Sequence, residues 1–215
     1  MDKSKIKTFS GDAIAVHFAE DLCIGIAECG RATGALFEAG RTPWCDPDQE
    51  SVARVREIVE RCPSGALTYT DASGGEEVAP ADNTITVISD GPFYVSGALA
   101  IEGFEDRPEV KHRAALCRCG QSENKPFCDN SHREANFRDY GAVGDAGPGA
   151  SGSGGPLKIK ANPGGSLLVQ GHFRIRAASG RLAWHGDKVS LCRCGASHNK
   201  PFCDGKHREI GFEKN

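Results

Sequence analysis

No apolar run in the chain approaches the roughly 18–20 residues needed to span a bilayer. Its opening, MDKSKIKTFSGD, has neither the apolar core nor the small-residue cleavage site of a signal peptide. Both absences predict a soluble protein with no membrane partner in a reducing compartment, the cytoplasm. No Lys/Arg cluster stands out and the formal net charge is only −3, so little is available to neutralise a phosphate backbone, which argues against nucleic acid as the main partner. Aromatic residues make up only 7% of the chain, so large hydrophobic anchors are scarce and a loop-rich fold needs a metal or covalent staple. A nucleotide-binding fingerprint and a nucleophile–base constellation are also missing, so the expectation is that the protein is not an enzyme.

Glycine (27), proline (11) and cysteine (10) are plentiful. In a reducing compartment ten cysteines are expected as metal ligands rather than disulfides. They fall into three groups: Cys23, Cys29, Cys45 and Cys62; Cys117, Cys119 and Cys128; and Cys192, Cys194 and Cys203. The last two groups lie in an internal repeat, LCRCGQSENKPFCDNSH (Leu116 to His132) returning as LCRCGASHNKPFCDGKH (Leu191 to His207) 75 residues later. Between the copies GAVGDAGPGASGSGGP has almost nothing apolar and reads as a flexible linker.

Short β-like runs precede each repeated motif: Thr84 to Ile88 and Phe93 to Val95, then Leu167 to Val169 and Phe173 to Ile175. The first 75 or so residues differ. Ala13 to Phe18 reads as a strand; Val52, Val55, Ile58 and Val59 share a helical face with Asp46 or Asp48 as N-cap; ALTYT reads as a second strand. The fold class expected is α+β: a small N-terminal α+β domain (1–76), a β-rich unit (77–140), the linker (141–156) and a second β-rich unit (157–215).

Cys117 and Cys119 are two apart, so both thiols point the same way in an extended segment. Cys128 and His132 are four apart, which on a helix puts them on one face, with Asp129 as N-cap and Pro126 fixing the entry. The second copy repeats this with Cys192, Cys194, Cys203, Asp204 and His207. Four ligands would then converge on a short helix N-terminus, where the dipole favours an anionic cluster. Zinc ligand pairs are usually separated by two to four residues, so a one-residue gap favours a binuclear cluster over a single zinc. A disulfide leaves the histidine and the repeated aspartate unexplained.

The pattern C-x-C-x2-S-x3-P-x-C-D-x-x-H, present in both copies, resembles the CDGSH iron–sulfur (NEET) family. The resemblance implies two [2Fe–2S] clusters, one on Cys117, Cys119, Cys128 and His132 and the other on Cys192, Cys194, Cys203 and His207. Ser122 and Ser197 match the family's Ser/Thr position near the cluster. Asn130 stands where the motif has Gly, and Asn tolerates the left-handed conformation that Gly permits. Lys206 replaces a small residue and adds positive charge. Arg118 and Arg193 are expected to point away from the cluster into solvent, and Lys125 and Lys200 to shield its charge. His17 is expected to be packed or at the surface rather than ligating, and His198 to be at most a neighbour of the site. Relatives with one motif dimerise, so two motifs on one chain imply a monomer with an internal pseudo-dimer.

DLCIGIAEC, followed 33 residues later by CPSGAL, resembles a divergent single-cluster ferredoxin, and implies that the N-terminal domain is ferredoxin-like. A standard loop has Cys at every third position before a remote Cys-Pro. Cys23, Cys29 and Cys62 keep three ligand positions, Ile26 occupies the middle one, and Gly25 stands where the divergent family often has His. Three thiolates would suit a third cluster of [3Fe–4S] type, and Cys45 could supply the fourth ligand of [4Fe–4S]; a domain that had lost its cluster would retain the cysteines as core residues.

Histidine in place of a fourth thiolate removes negative charge and eases reduction. The function expected is single-electron carriage between redox proteins, with pH-sensitive clusters; cluster donation, redox sensing and a zinc-stabilised interaction module are the alternatives. Iron per chain separates the states: four atoms mean that only the repeats are loaded, and the seven or eight implied by the ferredoxin resemblance mean that all three sites are.

Overall fold

The computed structural model describes residues 6–144, 146–149 and 152–213. It is mixed α+β, rich in strands and poor in helix. Near the N-terminus, Ile6–Ser10 (β1), Ile14–Ala19 (β2) and Leu67–Asp71 (β3) form an antiparallel sheet in that order. Alternation in β2 turns Ile14 and Val16 inward. Helix α1 (Val52–Glu60) covers them with Val55, Ile58 and Val59. Its N-cap is Ser51, whose Oγ accepts from the Arg54 N–H at 3.3 Å. Asp46 caps a separate 3-10 turn instead, accepting from the Asp48 N–H, because that turn and Glu50 lie between it and α1.

The two repeat units share one seven-stranded sheet. Its strands are Thr84–Val87 (β4), Phe93–Ser96 (β5), Ala98–Ile101 (β6), Arg113–Leu116 (β7), Pro156–Ala161 (β8), Leu167–Arg176 (β9) and Leu182–Leu191 (β10). The first unit contributes β6, which pairs in parallel with β8, and β4, which pairs in parallel with β9. Each unit therefore hydrogen-bonds to the other. The expected runs Leu167 to Val169 and Phe173 to Ile175 join into the single strand β9.

One hydrophobic core follows from this pairing. Ile85, Val87, Phe93 and Leu116 of the first unit pack with Leu157, Val169, Phe173 and Leu191 of the second, and Ala19, Leu22 and Ala66 bring in the N-terminal domain. Buried Asn83 stitches the units: Nδ2 donates to the Gly155 and His172 carbonyls at 3.0 and 2.8 Å, and Oδ1 accepts from the Ala98 N–H at 3.0 Å. Arg113 fastens the N-terminal domain, donating to the Val59, Cys62 and Leu67 carbonyls and pairing with Glu77.

The described residues of the segment 141–156 depart from the expected flexible linker. Val143 is buried in the shared core, the Gly141 and Ala146 carbonyls accept from Ala178 and His185, and Gly147 lies against Trp184. Lacking side chains, these glycines can lie flat on the sheet, where a bulkier segment would be held off.

Asn83→Ala would leave two carbonyls and one N–H without their partner inside the sheet. A loss of about 3 kcal/mol is expected, at about 1–3 kcal/mol per buried group with some relaxation. Urea unfolding followed by circular dichroism checks it; a midpoint equal to that of the parent protein would contradict the stitching role.

Candidate metal centres

Each repeated site is built from a strand end, a short returning segment and one tight turn. Strand β7 delivers Cys117, and the chain returns through Phe127, which bridges Leu116. The Cys117 N–H donates to the Pro126 carbonyl at 2.8 Å and the Cys128 N–H to the Ala115 carbonyl at 2.9 Å. The second copy repeats this with Cys192 on Pro201 (2.8 Å) and Cys203 on Ser190 (2.9 Å). Backbone pairing thus faces a Cys-x-Cys segment with the third cysteine.

The helix expected from Cys128 to His132 is smaller than its spacing predicted. Only Ser131–Glu134 (α2) forms, and the second copy has a 3-10 turn at Lys206–Arg208. Asn130 and Gly205 interrupt the chain in the left-handed region, with φ of +75° and +89°. The aspartates hold this bend rather than cap a long helix: Asp129 accepts from the Glu123 and Ser131 N–H groups, and Asp204 from those of His198 and Lys206. Burial disfavours the Asp129 carboxylate, but the bonds from Ser131 and Glu123 prevail and lower its pKa. In exposed Asp204 the same kind of bond, led by the His198 N–H, brings the pKa to about 2.

The donor atoms stand in pairs. Cys117 and Cys119 have their sulfurs 3.8 Å apart, as do Cys192 and Cys194. Cys128 Sγ is 3.5 Å from His132 Nδ1, and Cys203 Sγ is 3.4 Å from His207 Nδ1. One tetrahedral metal with bonds of about 2.3 Å to sulfur and 2.0–2.1 Å to nitrogen separates two thiolates by about 3.8 Å and a thiolate–imidazole pair by about 3.5 Å. Every pair therefore fits one metal ion. Among the described residues no three His, Cys, Asp or Glu gather as one ion would require.

Charge within each site is distributed by burial and backbone donors. Cys117, acting as hydrogen-bond donor to Cys119 and deeply buried, has its pKa raised, while that of Cys119 falls. Cys192 and Cys194 behave alike. Burial pushes Cys128 up to about 11 against the Asn130 N–H, which lies 3.4 Å from the sulfur. Metal binding must therefore release protons. Burial, then the Arg133 charge, lowers the His132 pKa, which keeps its ring neutral and able to ligate.

Arg118 and Arg193 are not solvated as expected. Arg118 is buried, pairs with Asp139, donates to the Gly91 and Ile88 carbonyls and sits 5.0 Å over Phe137. Arg193 pairs with Glu213, donates to Gly165 and Asn162 and sits 5.0 Å over Phe212. A guanidinium can be buried when carbonyls and a carboxylate occupy its donors. A signal for this was present: the arginine of each Cys-Arg-Cys is followed by an acid 20 or 21 residues on, Asp139 or Glu213.

Ser122 and Ser197 brace the loop, donating to the Phe127 and Phe202 carbonyls at 2.6 and 2.7 Å. Lys125 and Lys200 donate to the Ser122 and Ser197 carbonyls, and Lys206 pairs with Glu209. His198 is exposed, 3.4 Å from Asp204, and His17 lies between the Thr8 and Thr70 hydroxyls.

In the N-terminal domain Cys23, Cys29 and Cys62 line one cavity of about 30 Å³ with Phe18, Ile24, Ile26 and Leu67. Burial raises the Cys29 pKa, and the nearby Cys62 and Cys23 raise it further. The loop turns through left-handed Gly25 and Ala27, at φ +59° and +62°, a conformation uncommon for alanine that the docked loop has to enforce. Cys45 is not among the residues lining this cavity: it is fully buried in the cluster of Leu36 and Val55, against which Cys29 and Cys62 also pack, and it bridges Phe37. Burial, opposed by Arg41, pushes its pKa up to about 12. Cys23, Cys29 and Cys62 are thus brought to one cavity, without Cys45.

The family model described as a divergent 4Fe-4S mono-cluster matches residues 9–72, and the one described as an iron-binding zinc finger of CDGSH type matches residues 90–133 and 164–208. Uncharacterized protein YjdI of Escherichia coli strain K12 is 40% identical over 63 residues, or 29% of this chain and 83% of that protein. The protein of the same name from Escherichia coli O157:H7 gives the same values. No solved structure matches the chain. Among the described residues no helix is long and apolar enough to cross a membrane.

Cys62→Ala is expected to remove any iron held by the N-terminal domain, and Cys45→Ala to retain it. Iron and acid-labile sulfide per chain check this; loss of the same iron in Cys45→Ala would make Cys45 a ligand.

Proposed function

Because this iron–sulfur protein belongs to the CDGSH family, with a divergent mono-cluster domain ahead of two tandem CDGSH domains, we propose that it carries single electrons between redox proteins on two [2Fe–2S] clusters and a third, N-terminal cluster. The observation that carries the reading is the pairing of donors: a thiolate pair and a thiolate–imidazole pair in each site, each spaced for one metal. Two irons bridged by sulfide use both pairs, whereas one zinc would use four converging donors. All positions are then filled by protein, which leaves no open one for a substrate, in keeping with a carrier rather than an enzyme.

The chain's own groups tune the sites. Cys117 and Cys119 are buried, and N–H groups of Gly120, Gln121 and Ser122 face their sulfurs. Such bonds and the neutral imidazole favour the electron-rich state. His132 and His207 are only half-buried, so the histidine-bound end of each site is the one within reach of a partner. Parallel pairing of β4 with β9 and β6 with β8 supports an internal pseudo-dimer, and with it a monomeric chain. Cluster donation is the second reading, favoured by the same accessible histidines.

Protons compete with metal for imidazole, so holding capacity falls as pH drops through the histidine range of about 6.5. The lowered His132 pKa moves this competition at the first site to lower pH than an ordinary histidine would show. His132→Cys and His207→Cys are each expected to lower the potential of their own site by on the order of 100–300 mV, scaled from centres with two histidines. They should also shift acid bleaching to lower pH. Redox titration and visible spectra against pH check both; parent spectra unchanged through pH 5 would contradict histidine ligation. Rapid transfer of clusters to an apo-ferredoxin, without reversible reduction, would favour the donor reading.

A further inference from the structure

The Cys23–Cys29 loop does not stand free of the first CDGSH site. Ile24, directly after Cys23, is buried against Ala115 and Cys128, with Tyr94 alongside. Its carbonyl accepts from Asn130 Nδ2 at 2.9 Å. The Asn130 backbone N–H faces Cys128 Sγ at 3.4 Å, so one residue touches both a ligand of the first site and the loop of the N-terminal one. Farther along, Asn124 Nδ2 donates to the Asp21 carbonyl at 2.7 Å and Arg107 pairs with Asp21. The loop is thus pinned on both sides of Cys23.

The second copy has no such tie among the described residues. Gly205 occupies the place of Asn130, at nearly the same φ, and a Cβ there would meet nothing within 4 Å. Cys203 is half-buried where Cys128 is buried. The duplication has therefore diverged at the one residue that reaches the N-terminal loop.

We propose that Asn130 is a positioning residue that holds the Cys23/Cys29/Cys62 centre against the first CDGSH centre, so that electrons pass between these two inside the chain. The inference rests on the proposed carrier function and on a loaded N-terminal site. The path from Cys23 through Ile24 to Asn130 and Cys128 follows covalent bonds except at the hydrogen bond from Asn130 to the Ile24 carbonyl. The step moves one electron: the N-terminal site is oxidised by one, the first CDGSH site is reduced by one, and no bond or proton changes place. An external one-electron donor supplies the electron at the start.

The test uses the full, anaerobically loaded chain. A light flash reduces deazaflavin, whose radical delivers one electron, and visible absorption follows its redistribution between centres. A phase present in the parent protein and absent in Cys62→Ala is assigned to the N-terminal site. Asn130→Gly, which keeps the left-handed turn, should slow that phase about tenfold, the change one lost hydrogen bond makes in the docked population. Its iron content and CDGSH absorption should be unchanged. Asn130→Asp, which keeps the size but loses the donor, should slow it likewise, and Gly205→Asn should not. A parental rate in Asn130→Gly, or no phase at all in a parent chain holding seven or eight irons, overturns the relay while leaving the carrier reading intact. Four irons in the parent chain overturn the loaded N-terminal site, and the relay with it.

Discussion

The rest of the structure depends on a reciprocal contact between the two metal-binding loops. Gly120, at φ +83°, faces Cys194 so closely that a Cβ would stand 2.7 Å from its carbonyl oxygen; Gly195, at φ +80°, faces Cys119 with the corresponding distance 2.6 Å. No side chain fits at either place, and the conformation itself favours glycine. Two loops that meet this closely need strands that hold them in register. The shared sheet does so: β4 on β9 and β6 on β8 tie the units by backbone bonds, and Asn83 fixes the crossing. The exchange of strands and the approach of the loops are thus one arrangement seen at two scales.

That arrangement also bears on charge. Under the proposed carrier function, reducing one site would place negative charge beside the backbone of the other, in surroundings where protein rather than water must respond. The buried guanidinium in each Cys-Arg-Cys is a fixed positive neighbour, although Asp139 and Glu213 offset much of it. Backbone N–H groups at the thiolates are the remaining counterweight, and they need no solvent access to act.

The cysteines and histidines that the structure sets in pairs were legible because their pattern is local and repeated: cysteine spacing, the aspartate after the third cysteine, and histidine four residues on. Strands β2 and β3 and the apolar face of α1 were legible for a similar reason, since each follows a period of two or 3.6 within one segment, whereas β1 was not read from the sequence. What stayed hidden was long-range. Neither the pairing of β6 with β8 nor the burial of Arg118 leaves a periodic trace, because each depends on a partner tens of residues away. The helix read into Cys128–His132 failed for a different reason. Spacing of four is shared by a helical face and by a tight turn through a left-handed residue, and only the backbone tells Asn130 and Gly205 from helical residues.

Asn130 illustrates how a departure from a motif can carry information. Glycine there would satisfy the turn at no steric cost, as Gly205 does, so an asparagine needs some other reason to be present. The left-handed conformation is mildly unfavourable for asparagine, and the bond to Ile24 offsets it. Two copies under the same backbone constraint differ where one faces another domain and the other does not. Duplication supplies two equivalent sites, and contact with the N-terminal loop makes them unequal.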